Sequence, residues 1–328
     1  MPDKIRWGIL STARIGPRAL IPAIRSAHNG ELVAVASRDE ARARAFADEH
    51  GIPVAYGSYA ELIADPNIDA IYNPLPNDQH AEWSIRAAEA GKHVLCEKPQ
   101  ASDAAEARKM ADVFNQRGVW LEEAFMYRFH PRTVRVKEMV KSGAVGKVQY
   151  ISSSFNFNIG DENDIRLFGS MAGGGLMDVG CYCVGIMRFV TDEEPDSVNA
   201  FADINDRGAD ERTVGILHFP SGTLAHFDSG MRSQYKCSYE IIGSEGRIRV
   251  EDAFLPPKDR PAIIHYWHGD GYEDIETELV DQYQLMVEDF DDAILNQRPP
   301  RFPADDAVRA MELLDRLRAS ARANGAPR

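Results

Sequence analysis

Cysteine is scarce in this sequence, with four residues among 328: Cys96, Cys181, Cys183 and Cys237. Their spacing matches neither a zinc-binding pattern nor a disulfide framework. We therefore expect reduced thiols in a cytoplasmic protein. We also expect no apolar run long enough to span a bilayer, and the N-terminus lacks the apolar core of a signal peptide.

Positive charge is in short supply as well, because 37 Lys and Arg residues stand against 51 Asp and Glu residues, for a net charge of −14. This excess argues against a nucleic acid or an anionic membrane as the main partner. It does not exclude a small anionic cofactor, which needs only a local positive site. A length of 328 residues with 44% hydrophobic residues predicts a globular chain of two domains.

The N-terminal pattern predicts the opening of a dinucleotide-binding βαβ unit. An apolar run at 5–10 is followed by apolar residues at helical spacing and then by a β-rich run at 31–36. The glycine-rich fingerprint of such units is reduced here to Ser11, Ala13 and Gly16. The small residues still permit close approach of a pyrophosphate to a helix N-terminus. An ordinary tight turn between strand and helix is the equal alternative.

The second predicted strand ends in Ser37 and Arg38, with Arg42 one helical turn later. An NAD-binding protein usually carries an acidic residue near this point. A hydroxyl and a guanidinium suit a phosphate instead, so the sequence predicts NADP over NAD. The alternative is a solvated helix start within a run of alternating charges.

Further strands are predicted at 68–73 and at 94–96, separated by a helix. Their C-terminal ends carry Asn73, Asn77 and His80 in one case and Lys98 in the other. Alternating strands and helices predict a right-handed, mostly parallel sheet with helices on both faces. Ligands bind at the carboxyl ends of such strands, although Lys98 alone would also fit a surface turn.

The C-terminal part reads as strands joined by glycine-containing turns, with a few helices. Strands are predicted at 147–159, 198–204, 213–219, 223–230, 237–243, 247–251, 262–267 and 272–279. Helices are predicted at 131–142, 176–190, 283–296 and 304–324. We expect a Rossmann domain at 1–123 and an α+β domain at 124–328, with the last helix packing back on the Rossmann domain.

Several motifs in order resemble the glucose–fructose oxidoreductase/inositol dehydrogenase (Gfo/Idh/MocA) family along nearly the whole chain. They are Trp7-Gly8-Ile9-Leu10-Ser11-Thr12-Ala13, Asn73-Pro74-Leu75-Pro76-Asn77 with His80, Glu97-Lys98-Pro99, Glu123-Ala124-Phe125-Met126-Tyr127-Arg128-Phe129-His130-Pro131 and Gly173-Gly174-Gly175-Leu176-Met177-Asp178-Val179-Gly180-Cys181-Tyr182. The resemblance implies a second domain built on a large open, mainly antiparallel sheet. It also implies a homodimer or homotetramer formed through that sheet.

Many members carry histidine where this chain has Tyr182. The tyrosine is similar to the subgroup that contains glucose–fructose oxidoreductase, dimeric dihydrodiol dehydrogenase and NADP-linked xylose dehydrogenases. Within that resemblance, our hypothesis is that Tyr182 takes the hydroxyl proton of the substrate. A phenol with a pKa near 10 is a poor base, and a neighbouring lysine ammonium lowers that pKa. Lys98 would do so and would also bind the reacting oxygen. No metal is required.

The resemblance also implies binding residues. Expected cofactor-binding residues are Ser11, Thr12, Ala13, Arg14, Ile15, Ser37, Arg38, Arg42, Asn73, Leu75, Asn77, His80, Glu97 and Lys98. Expected substrate-binding residues are Lys98, Met126, Tyr127, Arg128, Phe157, Arg166, Asp178 and Tyr182, with Asn156 as a further guess. Some keep alternatives: His80 as a structural residue, Asp178 as a partner of the glycine turn, and Met126 and Tyr127 as packing residues. A further hypothesis is a cis peptide bond before Pro99.

The resemblance implies an NADP-dependent sugar or polyol dehydrogenase that oxidises an aldopyranose at its anomeric hydroxyl. A close variant retains NADP(H) and shuttles hydride between two sugars. A dihydrodiol dehydrogenase would need an aromatic pocket, for which Trp267, Tyr127 and Phe157 are candidates. Two other classes remain open: an NAD-dependent glycosidase and a non-catalytic sugar or NADP sensor.

Overall fold

The computed structural model describes residues 4–325, which form two compact units. Of the described residues, 4–126 and 281–311 belong to the first unit, and 127–280 and 312–325 belong to the second. This differs from the expected division at residue 123, because the segment 281–311 joins the first unit. The last helix was expected to pack on the Rossmann domain, but it is divided between the two units after Met311.

The first unit contains a six-stranded parallel sheet in the order β3-β2-β1-β4-β5-β6. Its strands are β1 (Ile5–Leu10), β2 (Gly30–Ala36), β3 (Val54–Tyr56), β4 (Ala70–Asn73), β5 (His93–Cys96) and β6 (Leu121–Glu123). The strand order reverses between β1 and β4, which is where ligands bind in open α/β sheets. The predicted Rossmann sheet is confirmed.

The α-helices of the chain follow the predicted pattern closely. They are α1 (Ile21–Ser26), α2 (Glu40–His50), α3 (Tyr59–Ala64), α4 (Asn77–Glu89), α5 (Ala104–Arg117), α6 (Pro131–Lys141), α7 (Cys181–Thr191), α8 (Gln282–Leu295) and α9 (Ala304–Ala323). The starts of α2, α3 and α5 are set by Asp39, Ser58 and Asp103, whose side chains accept a backbone N–H three residues on.

Helix α8 belongs to the first unit because its buried face packs on α1 and on the start of the sheet. The Phe290 ring lies 5.8 Å from the fully buried Trp7 ring. The Trp7 Nε1–H donates to Asp291 Oδ1 at 2.9 Å. Burial of these side chains anchors the segment, and a sequence pattern gives no signal for a contact made across 284 residues.

The second unit contains an eight-stranded sheet in the order β14-β13-β12-β11-β7-β10-β9-β8. Its strands are β7 (Val148–Asn158), β8 (Ser197–Ile204), β9 (Asp210–His218), β10 (Leu224–Gly230), β11 (Arg232–Gly243), β12 (Gly246–Glu251), β13 (Ala262–His268) and β14 (Gly271–Thr277). All pairs are antiparallel except β7 with β10. The predicted large, mainly antiparallel sheet is confirmed.

The two faces of this sheet differ in burial. Helix α7 packs on β7 and β10, where Ile151, Ser153 and Phe155 are buried. The opposite face carries large apolar side chains that are about half exposed. They are Tyr150, Phe201, Val214, Ile216 and Leu224.

The segment Gly169–Thr191 is long and apolar enough to cross a membrane by length and composition alone. Of its most apolar stretch of 18 residues, 78% is buried inside the protein. A core helix of a globular domain passes the same test, and this segment has that burial.

Candidate active site

The turn after β1 begins with an unusual backbone conformation at Ser11, whose φ of 79° lies in the left-handed region. Glycine normally occupies such positions, and the fingerprint has glycine here. Ser11 Oγ accepts the Ala13 N–H at 3.2 Å and so holds the turn. A π-helical turn, Gly16–Leu20, follows and runs directly into α1. The turn therefore keeps the glycine-type geometry of a phosphate-binding loop with a serine in it.

At the end of β2, Ser37 is buried while Arg38 and Arg42 are exposed. Burial raises the pKa of Tyr59, and the positive charges of Arg38 and Arg42 counteract that increase. Both guanidinium groups therefore lie near the Tyr59 hydroxyl. Within residues 4–325 neither arginine forms an ion pair with a carboxylate. This cluster can accept a compact anion, because its positive charge is not already neutralised.

At the end of β4, the structure assigns new roles to two predicted cofactor ligands. Asn73 is fully buried, and its amide bonds His80 O, Ser84 Oγ and the Leu75 N–H. His80 is also fully buried, with Nδ1 2.9 Å from Pro99 O and Nε2 2.7 Å from Leu75 O. Both side chains therefore hold the two loops in place, and their contact with a cofactor stays a prediction.

The protonation of His80 reflects opposing effects. Burial lowers the pKa of His80 to about 4, whereas the two carbonyl oxygens favour the protonated ring. A neutral ring can donate to only one of them. In either state His80 ties the loop after β4 to the loop that carries Lys98.

After β5, the chain enters Glu97-Lys98-Pro99, with a cis bond between Lys98 and Pro99. This confirms the hypothesis of a cis peptide at that point. The carboxylate of Glu97 is held at two points: Oε1 accepts the Tyr72 hydroxyl at 2.5 Å, and Oε2 accepts the Lys98 N–H at 3.2 Å. Lys98 is partly exposed. A fixed carboxylate and a lysine thus lie side by side at the carboxyl edge of the parallel sheet.

In the second unit, Tyr182 lies in the first turn of α7 within a cluster of aromatic rings. Its ring centroid is 5.2 Å from that of Phe254, 5.5 Å from Phe155 and 5.6 Å from Tyr127. The residue is only 5% exposed. Three rings from separate segments therefore fix the orientation of the phenol.

A π-helical turn, Leu176–Gly180, precedes α7 and carries Asp178. Arg166 Nε lies 2.9 Å from Asp178 Oδ2, and the guanidinium also lies 3.3 Å from Asp164. The Arg166 side chain is 45% exposed and that of Asp178 15%. The neighbouring carboxylates raise the pKa of Arg166. The Arg166–Asp178 pair offers both donors and acceptors, and Asp164 adds a second carboxylate beside the guanidinium.

Three other predicted substrate-binding residues are buried. Met126, Tyr127 and Arg128 are each at most 3% exposed. Burial raises the pKa of Tyr127 to about 12. Burial of Met126 and Tyr127 is compatible with the packing alternative, and the Tyr127 ring contacts that of Tyr182.

The alternation along β7 separates two further candidates. Phe157 points to the same face as Phe155 and packs against Ile159, Leu167 and Met231. Asn156 points to the opposite face, where its amide donates to Asp228 Oδ2 at 2.5 Å. Asn156 is thus on the other side of the sheet from Phe155, and its place in a substrate pocket stays a guess.

Trp267, a candidate for an aromatic pocket, is also on that opposite face. It pairs with Arg247 in the sheet, and the Arg247 guanidinium lies 3.9 Å from its ring centroid. The aromatic surroundings of Tyr182 come from Tyr127, Phe155 and Phe254 instead. Among residues 4–325, no group of three or more His, Cys, Asp or Glu side chains is arranged to hold a metal ion.

Comparison with family models identifies both units. Residues 5–125 match the model of an oxidoreductase family with an NAD-binding Rossmann fold, and residues 133–249 match the Gfo/Idh/MocA C-terminal domain. The chain belongs to the Gfo/Idh/MocA oxidoreductase family. The resemblance noted in the motifs is confirmed, and the first unit is the NAD(P)-binding unit of the family.

Three relatives place the chain within the family. A D-xylose 1-dehydrogenase (NADP+) from Haloferax volcanii is 42% identical over 98% of both chains. A 3-ketoreductase from Actinomadura kijaniata, solved with NADP and TDP-benzene, is 31% identical with a TM-score of 0.90 over 97% of this chain and 98% of that one. An aldose–aldose oxidoreductase from Caulobacter crescentus, solved with glycerol, is 27% identical with a TM-score of 0.91 over 98% of both chains.

Sequence reasoning missed several residues of this Gfo/Idh/MocA site. Tyr59 and Tyr72 lie beside predicted ligands, but each contact joins separate elements. Phe254 lies in a loop without periodicity. Phe155 could have been predicted. The alternation along β7 places it on the face that packs against α7, the helix that carries Tyr182.

Proposed function

We propose that this protein is an NADP-dependent dehydrogenase that oxidises an aldopyranose at its anomeric hydroxyl to the lactone. The similarity to a D-xylose 1-dehydrogenase over almost the whole chain supports a pentose as the first substrate to test. The proposal includes the cofactor, the substrate class and the catalytic residues.

The observation that carries the cofactor proposal is the cluster at the end of β2. Arg38 and Arg42 are exposed, close to Tyr59 and not ion-paired with a carboxylate within residues 4–325. Ser37 adds a hydroxyl at the same strand end. A 2′-phosphate carries the charge and the acceptor oxygens that two guanidinium groups bind best. An NAD ribose would leave both charges unused.

Tyr182 is the proposed acid–base catalyst and Lys98 its partner. When bound, the nicotinamide ring supplies the acceptor for the hydride that leaves C1. The phenolate of Tyr182 takes the hydroxyl proton as the C1–O bond becomes a carbonyl, and it returns that proton in the reverse direction. The ammonium of Lys98 favours the phenolate and donates a hydrogen bond to the reacting oxygen.

The Arg166–Asp178 pair is the proposed recognition element for sugar hydroxyls. Asp178 is separated from Tyr182 by one turn of continuous helical backbone. The guanidinium donates and the carboxylate accepts, so together they match a hydroxyl, which does both. Because Asp178 and Asp164 balance the charge of Arg166, a neutral sugar fits this site better than an anionic one.

A second candidate is hydride transfer between two aldoses with NADP(H) retained throughout. Its support is the structural similarity to the aldose–aldose oxidoreductase. The two candidates share one site and differ in cofactor release. An enzyme of this second kind would turn over a sugar pair without added NADP.

The test is a panel of pentoses, hexoses and dihydrodiols assayed with NADP and with NAD. The proposal predicts NADPH formation with at least one aldose and a kcat/KM higher for NADP than for NAD. Turnover of a sugar pair without added cofactor would favour the second candidate. Release of a free sugar from a glycoside with no net cofactor reduction would contradict both. No NADPH formation with any aldose would contradict the first.

We further propose that the chain forms a homodimer or homotetramer through the face of the eight-stranded sheet that is opposite to α7. We call this face the open face of the second sheet. Tyr150, Phe201, Val214, Ile216 and Leu224 give that face a group of half-exposed apolar side chains. Association would remove this apolar surface from water. A cytoplasmic location remains a prediction from cysteine usage.

A further inference from the structure

The helical segment that carries Asp178 and Tyr182 begins without a capping side chain of its own. The residue at its N-cap position is Gly175, and no side-chain cap is formed there. The first N–H groups of a helix have no partner inside the helix. The Asp178 N–H donates to the adjacent Gly174 O at 2.9 Å, whereas the acceptor of the Leu176 N–H comes from another part of the chain.

Asp210, at the start of β9, supplies that acceptor. Its Oδ2 accepts the Leu176 N–H at 2.7 Å and the Thr213 Oγ1–H at 2.8 Å. Leu176 and Asp210 are 34 residues apart in the chain. The Asp210 carboxyl thus joins the start of the helical segment to the sheet.

The glycines before Leu176 allow this contact. Gly174 has a φ of 125°, which L side chains rarely adopt, and a methyl group there would overlap Asp210 Oδ1. A methyl group at Gly175 would lie 3.5 Å from Oδ2. The backbone therefore closes around the carboxyl, and the glycine motif has a structural explanation that does not involve a ligand.

We propose that Asp210 is a positioning residue for the reaction, holding the start of the Leu176–Thr191 helical segment so that Asp178 and Tyr182 keep their orientation. This rests on the proposed role of Tyr182. Asp210 itself touches no reacting atom in this account. Tyr182 is six residues beyond the capped N–H, so a shift of the first turn moves both side chains together.

The test compares Asp210→Ala with Asp210→Asn, because the amide oxygen of asparagine can still accept the Leu176 N–H. Asp203→Asn is the matched control, since Asp203 is an exposed carboxylate on the neighbouring strand β8 that pairs with Arg212. The measurements are hydrogen exchange of residues 176–182, kcat and KM for the best aldose, and the Kd of NADP.

For Asp210→Ala we expect hydrogen exchange of residues 176–182 to be about tenfold faster than in the wild type, and kcat to be about tenfold lower. Both changes correspond to the loss of a helix cap. The Kd of NADP should be unchanged, because the Arg38 cluster belongs to the other unit. Asp210→Asn should stay within about threefold of the wild type, since it keeps the acceptor. If Asp210→Ala does not fold, Thr213→Val replaces it, and we expect an intermediate loss with the same pattern.

Wild-type exchange and kcat in Asp210→Ala would overturn the inference. Equal impairment of Asp210→Asn and Asp210→Ala would also overturn it, because the acceptor would then not be the decisive group. Failure of the proposed function is distinguishable, since it would appear as a wild-type protein without dehydrogenase activity. The exchange comparison does not depend on that activity.

Discussion

At the scale of single residues, the cofactor preference depends on Arg38. Replacing Arg38 with Glu puts a carboxylate where the account places a phosphate. We expect KM for NADP to rise by about 10- to 100-fold, because the substitution removes one or two charge-assisted hydrogen bonds to the phosphate. KM for NAD should change little. Initial rates with each cofactor measure this.

Arg44→Glu is the matched control, because Arg44 lies on the same helix but pairs with Glu40. It should leave both KM values near the wild type. An unchanged NADP preference in Arg38→Glu would rule out the 2′-phosphate site at this position.

Because of the buried carboxyl of Asp291, we expect the stability of the first unit to depend on pH. Burial raises the pKa of Asp291 to about 9, and its Oδ2 has no hydrogen-bond partner among the described residues. The folded state therefore keeps a proton that the unfolded state releases above about pH 4. Stability conferred by this group falls as the pH rises from about 4 to about 9.

Asp291→Asn should flatten this dependence and raise the melting temperature at pH 8.5 by roughly 4 °C or more, since the amide oxygen can still accept from Trp7. Asp292→Asn is the control, as Asp292 is partly exposed and pairs with Arg298. Calorimetry between pH 5 and 8.5 measures both. Parallel curves for Asp291→Asn and the wild type would contradict the protonated carboxyl.

At the scale of elements, the turn before the Tyr182 helix is the most constrained. Gly174→Ala combines a left-handed backbone with overlap on Asp210 Oδ1. We expect a loss of about 2–4 kcal/mol in the free energy of unfolding of the second unit. Gly160→Ala is the control, because Gly160 has an ordinary φ and open space around it. Denaturant unfolding measures the difference.

In the double variant Gly174→Ala with Asp210→Ala, part of this loss should disappear, because the two residues contact each other. Strictly additive losses would show that the overlap is not the source of the strain.

The elements themselves were largely predictable from the sequence. Continuous apolar runs gave β1 and β4, which are buried on both faces, and β-rich runs between glycine-containing turns gave most strands of the second sheet to within a few residues. Two features were not predictable. The π-helical turn Leu176–Gly180 has no signal in composition, and the parallel pairing of β7 with β10 depends on which distant strands meet.

The site was predictable only where motifs carried it. Ser37, Arg38, Lys98 and Tyr182 follow from position and resemblance. The buried partners of Asn73 were not predictable, because a polar residue at a strand end looks alike whether its partner is backbone or ligand. A structural role for His80 was one of the alternatives that the sequence left open. Asp210 gave no signal at all, since its contact with Leu176 joins a strand to a turn 34 residues away.

At the scale of the whole molecule, the open face of the second sheet predicts association. Ile216 lies on that face and is 57% exposed. Ile216→Asp would place a charge within the apolar surface, and we expect the dissociation constant of the oligomer to rise about 100-fold or more. Analytical ultracentrifugation measures this.

Leu279→Asp is the control, because Leu279 is 53% exposed but follows β14 outside that face. A wild-type dissociation constant in Ile216→Asp, or an equal loss in the control, would exclude this face as the interface.

The proposed roles of Tyr182 and Lys98 can be tested by the steady-state rates of Tyr182→Phe and Lys98→Met with the best aldose and saturating NADP. Tyr235→Phe is the control, since Tyr235 is 54% exposed on β11. The account predicts a loss in kcat of about 100-fold or more for each variant, the usual contribution of acid–base catalysis. The NADP affinity of Tyr182→Phe should stay at the wild-type value, and so should the kcat and the NADP affinity of the control. A wild-type kcat in Tyr182→Phe would contradict the account.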